Sequence, residues 1–341
     1  MSEAKGYVWG PINAEDLAPV PATSWVVTSG MTGVSAAQGR LYAVDRRDHS
    51  CNEIFPYLAS YALDEERFGS MAPLDPLRVE PHGIDVAARP DGVTELYVVN
   101  HGWRESVEVF EIDVAGARPT LRWIGAAVLP ASAVGNDVAA VDGGGFVVSV
   151  NVLHGDGLEH GLARAEAGDE TGGVFEWSPE HGWADLPGTA INSANGVAVS
   201  KDGHWVYIGG WHSRCIKKAR RGGAPAESSV VGTDILTDNL TWTADGRLLA
   251  AGACDTTAEE FIAGHFGPEP RLAFPSRVLR VDPDSLAVET VVAYGPETFG
   301  AATTGLQVGD EIWVGAARDQ GLARFAYDPA PGSGPSGAVT A

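Results

Sequence analysis

One unit recurs along this chain of 341 residues: a polar residue or pair, a short strand, an Asp-Gly-type turn, and a second strand. It is clearest at Asn195-Gly196, followed by Val197-Ala198-Val199, Lys201-Asp202-Gly203 and Trp205-Val206-Tyr207-Ile208. The same order opens at His82-Gly83, at Asn136-Asp137 and at Asp238-Asn239, and in weaker form at Glu15-Asp16 and Thr304-Gly305. Six such units, spaced as four-stranded blades with insertions, predict an all-β chain folded as a six-bladed β-propeller. A sandwich would show shorter, more even strand spacing and no repeated polar opening. The 43 glycines and 21 prolines that punctuate the β-branched runs agree with an all-β class. The leading Tyr7-Val8-Trp9 is expected to pair with the C-terminal strands and close the ring, removing exposed sheet edges. The propeller is expected to occupy 1–328 as one domain, with 329–341 a disordered Pro/Gly/Ser tail.

The phase of the unit turns a repeat into a site. The first strand of a propeller blade lines the central channel, so a residue just before it stands at one mouth of that channel. Glu15, His82, Asn136, Asn195, Asp238, Asn239 and Thr304 are therefore expected to converge from six blades on one axis. Glu15, Asn136, Asn195, Asp238 and Asn239 bring only carboxylate and amide oxygens. Such donors suit a hard cation taking six to eight oxygens, whereas zinc or copper would want imidazole or thiolate. Calcium in the central channel is the expectation. Asn-Gly and Asp-Asn are also turn residues, and each alone would read as a turn; the shared place in successive units is what turn chemistry does not require.

Bulk properties narrow the partners. A formal charge of −22 disfavours nucleic acid and anionic membrane surfaces. No apolar leader or long apolar run is present, and the three cysteines (Cys51, Cys215, Cys254) form no CxxC pair, so a cytoplasmic setting is expected. There is no Gly-x-Ser-x-Gly, Walker or Rossmann fingerprint. The basic run Lys217, Lys218, Arg220 and Arg221 reads as a solvated blade edge.

Pro81-His82-Gly83-Ile84, Leu96-Tyr97-Val98-Val99-Asn100-His101 and Val107-Glu108-Val109-Phe110 resemble the paraoxonases, calcium-dependent lactonases and arylesterases. The likeness continues, scattered but colinear, at Ala14-Glu15-Asp16, Asn136-Asp137, Ala194-Asn195-Gly196 and Asp238-Asn239, over most of residues 10–327. The related senescence-marker-protein/gluconolactonase branch shares the propeller and an oxygen-ligand site. The resemblance implies a catalytic calcium on Glu15, Asn136, Asn195, Asp238 and Asn239. It also implies a second, structural calcium on Asp16, Asp137 and the Ile84 carbonyl, and a catalytic dyad of His82 and His101. The chain departs from the family in lacking the animal enzymes' N-terminal anchor and cysteine pair. It also carries Val150-Asn151-Val152-Leu153-His154 in place of an Asn-Asp-His stretch, and an insertion at 255–274 expected to form a lid or pocket wall.

The expected chemistry is hydrolysis of a small-molecule lactone or related ester: the metal stabilises the developing oxyanion, His82 deprotonates water, and His101 orients His82 or relays the proton. Trp103, His154, Trp211, His265 and Thr304 are candidate pocket residues, while Trp25, Trp205 and Trp313 fall in the strand pattern as core. Two alternatives remain: a sugar-lactone hydrolase or another metal-assisted catabolic reaction at the same site, and a calcium-stabilised binding scaffold without catalysis.

Overall fold

The computed structural model describes residues 1–33, 38–56, 60–131, 133–152, 157–223, 227–266 and 273–328. The proposed tail at 329–341 lies outside them. Six small sheets are arranged as the blades of a β-propeller. Their innermost strands are Ala14–Pro19, Pro81–Ala88, Val134–Val141, Ala194–Val199, Leu240–Trp242 and Thr304–Val308, taken here as blades 1 to 6. Each begins within two residues of the polar residue or pair that marks the sequence unit. The channel they enclose holds a cavity of about 250 Å³ lined by Leu17, Ile84, Val138, Val197, Thr241 and Leu306, one from each blade.

Both faces of a blade press on neighbours, which is why the strands read as near-continuous apolar runs instead of alternating. Each interface has its own cluster: Leu41 and Phe55 meet Leu96 and Phe110 between blades 1 and 2, and Val99 and Val109 meet Phe146 and Val148 between blades 2 and 3. Val147 and Val174 meet Val206 and Ile208, Tyr207 and Ile216 meet Leu248 and Leu279, and Val278 and Val292 meet Ile312 and Phe325. The last interface, blade 6 on blade 1, joins Trp313 and Leu322 to Leu17 and Val26.

Closure uses both chain ends. The N-terminal strand Ala4–Ile12 is the outer strand of blade 6, pairing antiparallel to Gln320–Ala326 with Tyr7 opposite Ala323 and Val8 opposite Leu322. Between the first two strands of a blade, the Asp-Gly turns work as expected: Gly203 and Gly246 take φ of +72° and +77°, which glycine adopts without steric cost. Two helices stand on the blades, Gly157–Glu166 after the second strand of blade 3 and Ala258–Phe266 after that of blade 5. No helix among the described residues is long and apolar enough to cross a membrane. The basic run falls at the end of the third strand of blade 4, where Lys218 is buried against the Trp205 ring at 4.5 Å, Lys217 and Arg221 are half-buried, and only Arg220 is exposed.

Candidate metal centre and histidine pair

In four of the six blades the polar openings sit inside the inner strands, at β-bulges. Ala14 pairs with Gly30 and Leu17 with Thr28, so one residue more lies on the inner strand than on its partner. The same excess separates Pro81/Asn100 from Ile84/Val98, Gly135/Val150 from Val138/Val148, and Ala194/Gly210 from Val197/Ile208. The residues inside these bulges are Glu15-Asp16, His82-Gly83, Asn136-Asp137 and Asn195-Gly196. A bulge breaks the two-residue alternation and re-aims side chains, letting neighbours in sequence serve the channel together. In blade 5 the Ala251 carbonyl accepts from the Asp238 N–H while the Ala251 N–H donates to the Asn239 carbonyl, so both residues oppose Ala251.

Two glycines of these pairs allow the blades to close in. A Cβ on Gly83 would lie 2.5 Å from the Asp137 Cα, and one on Gly196 would lie 2.5 Å from the Asp238 carbonyl and 2.6 Å from the Asn239 Cα. Close approach of backbone, not a turn, is the reason for glycine there.

Glu15, Asn136, Asn195, Asp238 and Asn239 are all buried, none more than 8% exposed. Asn239 Nδ2 donates to the Glu15 carbonyl at 3.2 Å and to Glu15 Oε1 at 2.7 Å. Glu15 Oε2, Asn136 Oδ1, Asn195 Oδ1 and Asn239 Oδ1 are buried with no hydrogen-bond partner among the described residues. Each such oxygen costs on the order of 1–3 kcal/mol when left unpaired. Acceptors from four blades orphaned at equivalent openings form an all-oxygen donor set that a hard cation would satisfy. Electrostatics agree: burial raises the carboxyl of Glu15 well above its ordinary value, with Asp16 and Asp238 adding to it. Burial, then Asp16, does the same to Asp238. Carboxylates gathered out of water favour a bound cation. The donor set fits calcium.

Asp16 and Asp137 are placed differently. Asp16 Oδ2 accepts from the Ile84 N–H at 2.9 Å, and Oδ1 from the Leu17 N–H at 2.8 Å and the Thr304 hydroxyl at 3.1 Å. Asp137 Oδ1 and Oδ2 accept from the N–H groups of Val138 and Val197, each at 2.7 Å. Asp85, which sequence reasoning missed, repeats the pattern on Val86 and Ala140. These carboxylates fasten one blade to the next, so a second ion would have to share their oxygens with backbone N–H groups. Burial raises Asp16 to about 7 and lifts Asp137 well above the carboxylate range.

The histidines meet beside the oxygen ring. His82 Nδ1 lies 2.8 Å from His101 Nε2, and His82 Nε2 lies 3.6 Å from Glu15 Oε1. Burial, then the charge of His101, holds the His82 imidazole well below the usual histidine value, leaving it a neutral base. On the far side, His101 Nδ1 is 3.0 Å from both carboxylate oxygens of Glu105. The loop carrying His101 is pinned by the buried Asn100, whose Oδ1 accepts from the Glu80 and Gly102 N–H groups and whose Nδ2 donates to the Gly102 carbonyl. Glu105 has no place in the repeat and no signal in the sequence marked it. Thr303, also missed, donates its hydroxyl to the Glu15 carbonyl at 2.7 Å.

The pocket candidates scatter. Thr304 is fully buried on Asp16. Trp103 is 38% exposed, with the guanidinium groups of Arg78 and Arg104 over its ring at 5.6 and 4.7 Å. Trp211 packs edge-on to Phe261 at 5.4 Å, and His265 stacks on the same ring at 4.4 Å. Burial lowers His265 to about 4. Both side chains thus turn into the apolar cluster beneath helix Ala258–Phe266, with Leu236, Phe274 and Ala301. That helix forms much of the 255–274 insertion, of which 267–272 lie outside the described residues, as does His154.

A scan against protein-family models matches none, and a search of curated proteins finds no match. Solved structures do match along nearly the whole length. A protein described as a gluconolactonase is 15% identical with a TM-score of 0.56, covering 95% of this chain and 92% of its own. A luciferin-regenerating enzyme is 12% identical with a TM-score of 0.56, covering 96% and 95%. Regucalcin, a calcium-binding protein of Agrobacterium tumefaciens, is 13% identical with a TM-score of 0.53, covering 95% and 94%. At these identities the likeness is one of architecture: the chain shares the six-bladed β-propeller fold of these structures.

Proposed function

We propose that this chain is a calcium-dependent hydrolase that opens a lactone or cleaves a related carboxylic ester. The observation that carries the reading is the ring of orphaned buried oxygens from Glu15, Asn136, Asn195 and Asn239, with a neutral histidine beside it. Those residues and Asp238 would hold one calcium ion. When bound, calcium supplies positive charge that stabilises the negative charge developing on a substrate carbonyl oxygen.

The protein's own groups supply the base. His82 presents Nε2 toward Glu15 and the ring, and its Nδ1 toward His101. It takes a proton at Nε2 from the attacking water, whose oxygen forms the new bond to the carbonyl carbon. The proton on His82 Nδ1 passes to His101 Nε2, and the dyad returns a proton to the leaving oxygen as the ester C–O bond breaks. A base of this kind contributes roughly 10²–10⁴ in rate. The paraoxonase resemblance at His82 and His101 supports this reading above a purely structural ion.

The test is a panel of aliphatic, aromatic and sugar lactones with aryl esters, assayed with calcium and with chelator. Hydrolysis of at least one substrate that chelator abolishes and calcium restores is the expected result. Calcium binding with no hydrolysis across the panel would make the chain a binding scaffold, and hydrolysis unaffected by chelator would remove the metal from the mechanism.

A further inference from the structure

Glu105 lies outside the repeat, yet it ends a line of groups that begins at the oxygen ring: Glu15, His82, His101, Glu105. The contacts along that line are 3.6, 2.8 and 3.0 Å. Side-chain exposure rises along the line, from 1% at Glu15 to 16% at His82, 20% at His101 and 32% at Glu105. The Glu105 carboxylate is itself held, accepting from the Gly135 N–H of blade 3 at 3.3 Å, and its carbonyl accepts from the Leu129 N–H at 3.0 Å. Its place is therefore set by the neighbouring blade as well as by its own loop.

Resting on the functional reading above, we propose that Glu105 is a positioning residue that fixes the tautomers of the histidine pair and so decides which nitrogen His82 offers to water. The logic follows from donors and acceptors. A carboxylate only accepts, so the His101 nitrogen facing it, Nδ1, must carry the proton. A neutral His101 then has a bare Nε2, which must accept from His82, so the proton of His82 sits on Nδ1. That leaves His82 Nε2 bare on the side of the oxygen ring, where the base is needed. Reversing the acceptor at the far end reverses each step and points an N–H, not a lone pair, at the reacting water. Glu105 also faces the positive charge that His101 acquires when the His82 Nδ1 proton moves to it.

The experiment compares the full chain with Glu105→Gln and Glu105→Leu in calcium, reading kcat, KM, calcium affinity and the imidazole ¹⁵N tautomer signals of His101, assigned with a His101→Asn variant. Expected are an Nδ1–H tautomer at His101 in the wild type and a mixture or the Nε2–H form in Glu105→Leu. The kcat of Glu105→Leu should fall roughly ten-fold or more, with KM and calcium affinity within about two-fold, and Glu105→Gln, whose amide can offer His101 a donor as well as an acceptor, should lower kcat too. If Glu105→Leu does not fold, Glu105→Gln decides by the same readouts. A wild-type enzyme that hydrolyses substrate, with variants whose kcat stays within about two-fold, would overturn the role of Glu105. No hydrolysis by the wild type would instead remove the functional reading, and the tautomer measurement then stands alone: an Nε2–H form of wild-type His101 would overturn the geometric claim.

Discussion

His82 combines two properties: its side chain is only 16% exposed, and one ring nitrogen is committed to another imidazole at 2.8 Å. Burial keeps it neutral, so it can accept a proton at neutral pH without first losing one. Replacing it by Gln keeps the size and a hydrogen-bonding end but removes the base. His82→Gln is expected to lower kcat by roughly 10²–10⁴ while calcium affinity, measured by titration calorimetry, changes less than about two-fold; an unaltered kcat would remove His82 from the base role. The ring residues were legible in the sequence because each holds the same place in a repeat, and His101 because of the family likeness around Val99-Asn100-His101. Glu105 was not. It reaches the dyad from a loop whose path is set by Asn100 and by Gly135 of the next blade, contacts that no local pattern announces.

At the scale of the element, the bulge is the device that makes the site. Sequence reasoning placed the polar pairs ahead of the inner strands; the structure puts them within four of the six, each with one residue in excess. A bulge leaves little trace in composition, because the flanking residues still read as strand. The glycines are the exception, since Gly83 and Gly196 are present for close packing against Asp137 and Asp238. Gly196→Ala would drive a methyl group into the backbone of the neighbouring blade, and overpacking of this kind costs about 1–3 kcal/mol. Denaturant melts of metal-free protein should show that loss, together with weaker calcium binding because Asp238 and Asn239 are displaced; an unchanged midpoint would show that the blades have slack. The insertion at 255–274 was visible as a break in the repeat. That its helix buries His265 in an apolar cluster and packs against the half-buried Trp211 was not, since both could equally have faced a pocket.

The whole molecule gathers acidic groups at its axis and closes a ring around them with strands from both chain ends. Burial raises Glu15, Asp16, Asp137 and Asp238, so the folded protein binds more protons than the unfolded chain. The stability they contribute is full below their unfolded values near 4 and is lost as pH rises through the folded values, about 7 for Asp16. The depressed histidines His82, His212 and His265 work the other way below about pH 6.5, where the raised carboxylates still outnumber them. In chelator, the melting midpoint is therefore expected to fall between about pH 5 and 8, and calcium, replacing protons, to flatten that fall; a midpoint that rises over this window in chelator would contradict the electrostatics. The central claim is that side chains from separate blades form one cation site, and calcium titration of the metal-free wild type beside Asn136→Leu tests it most directly. The account predicts saturable binding by the wild type and an affinity lower by roughly ten-fold or more in the variant, at least the 1.4 kcal/mol that one ligand would contribute. No calcium binding by the wild type, or equal binding by both proteins, would contradict it.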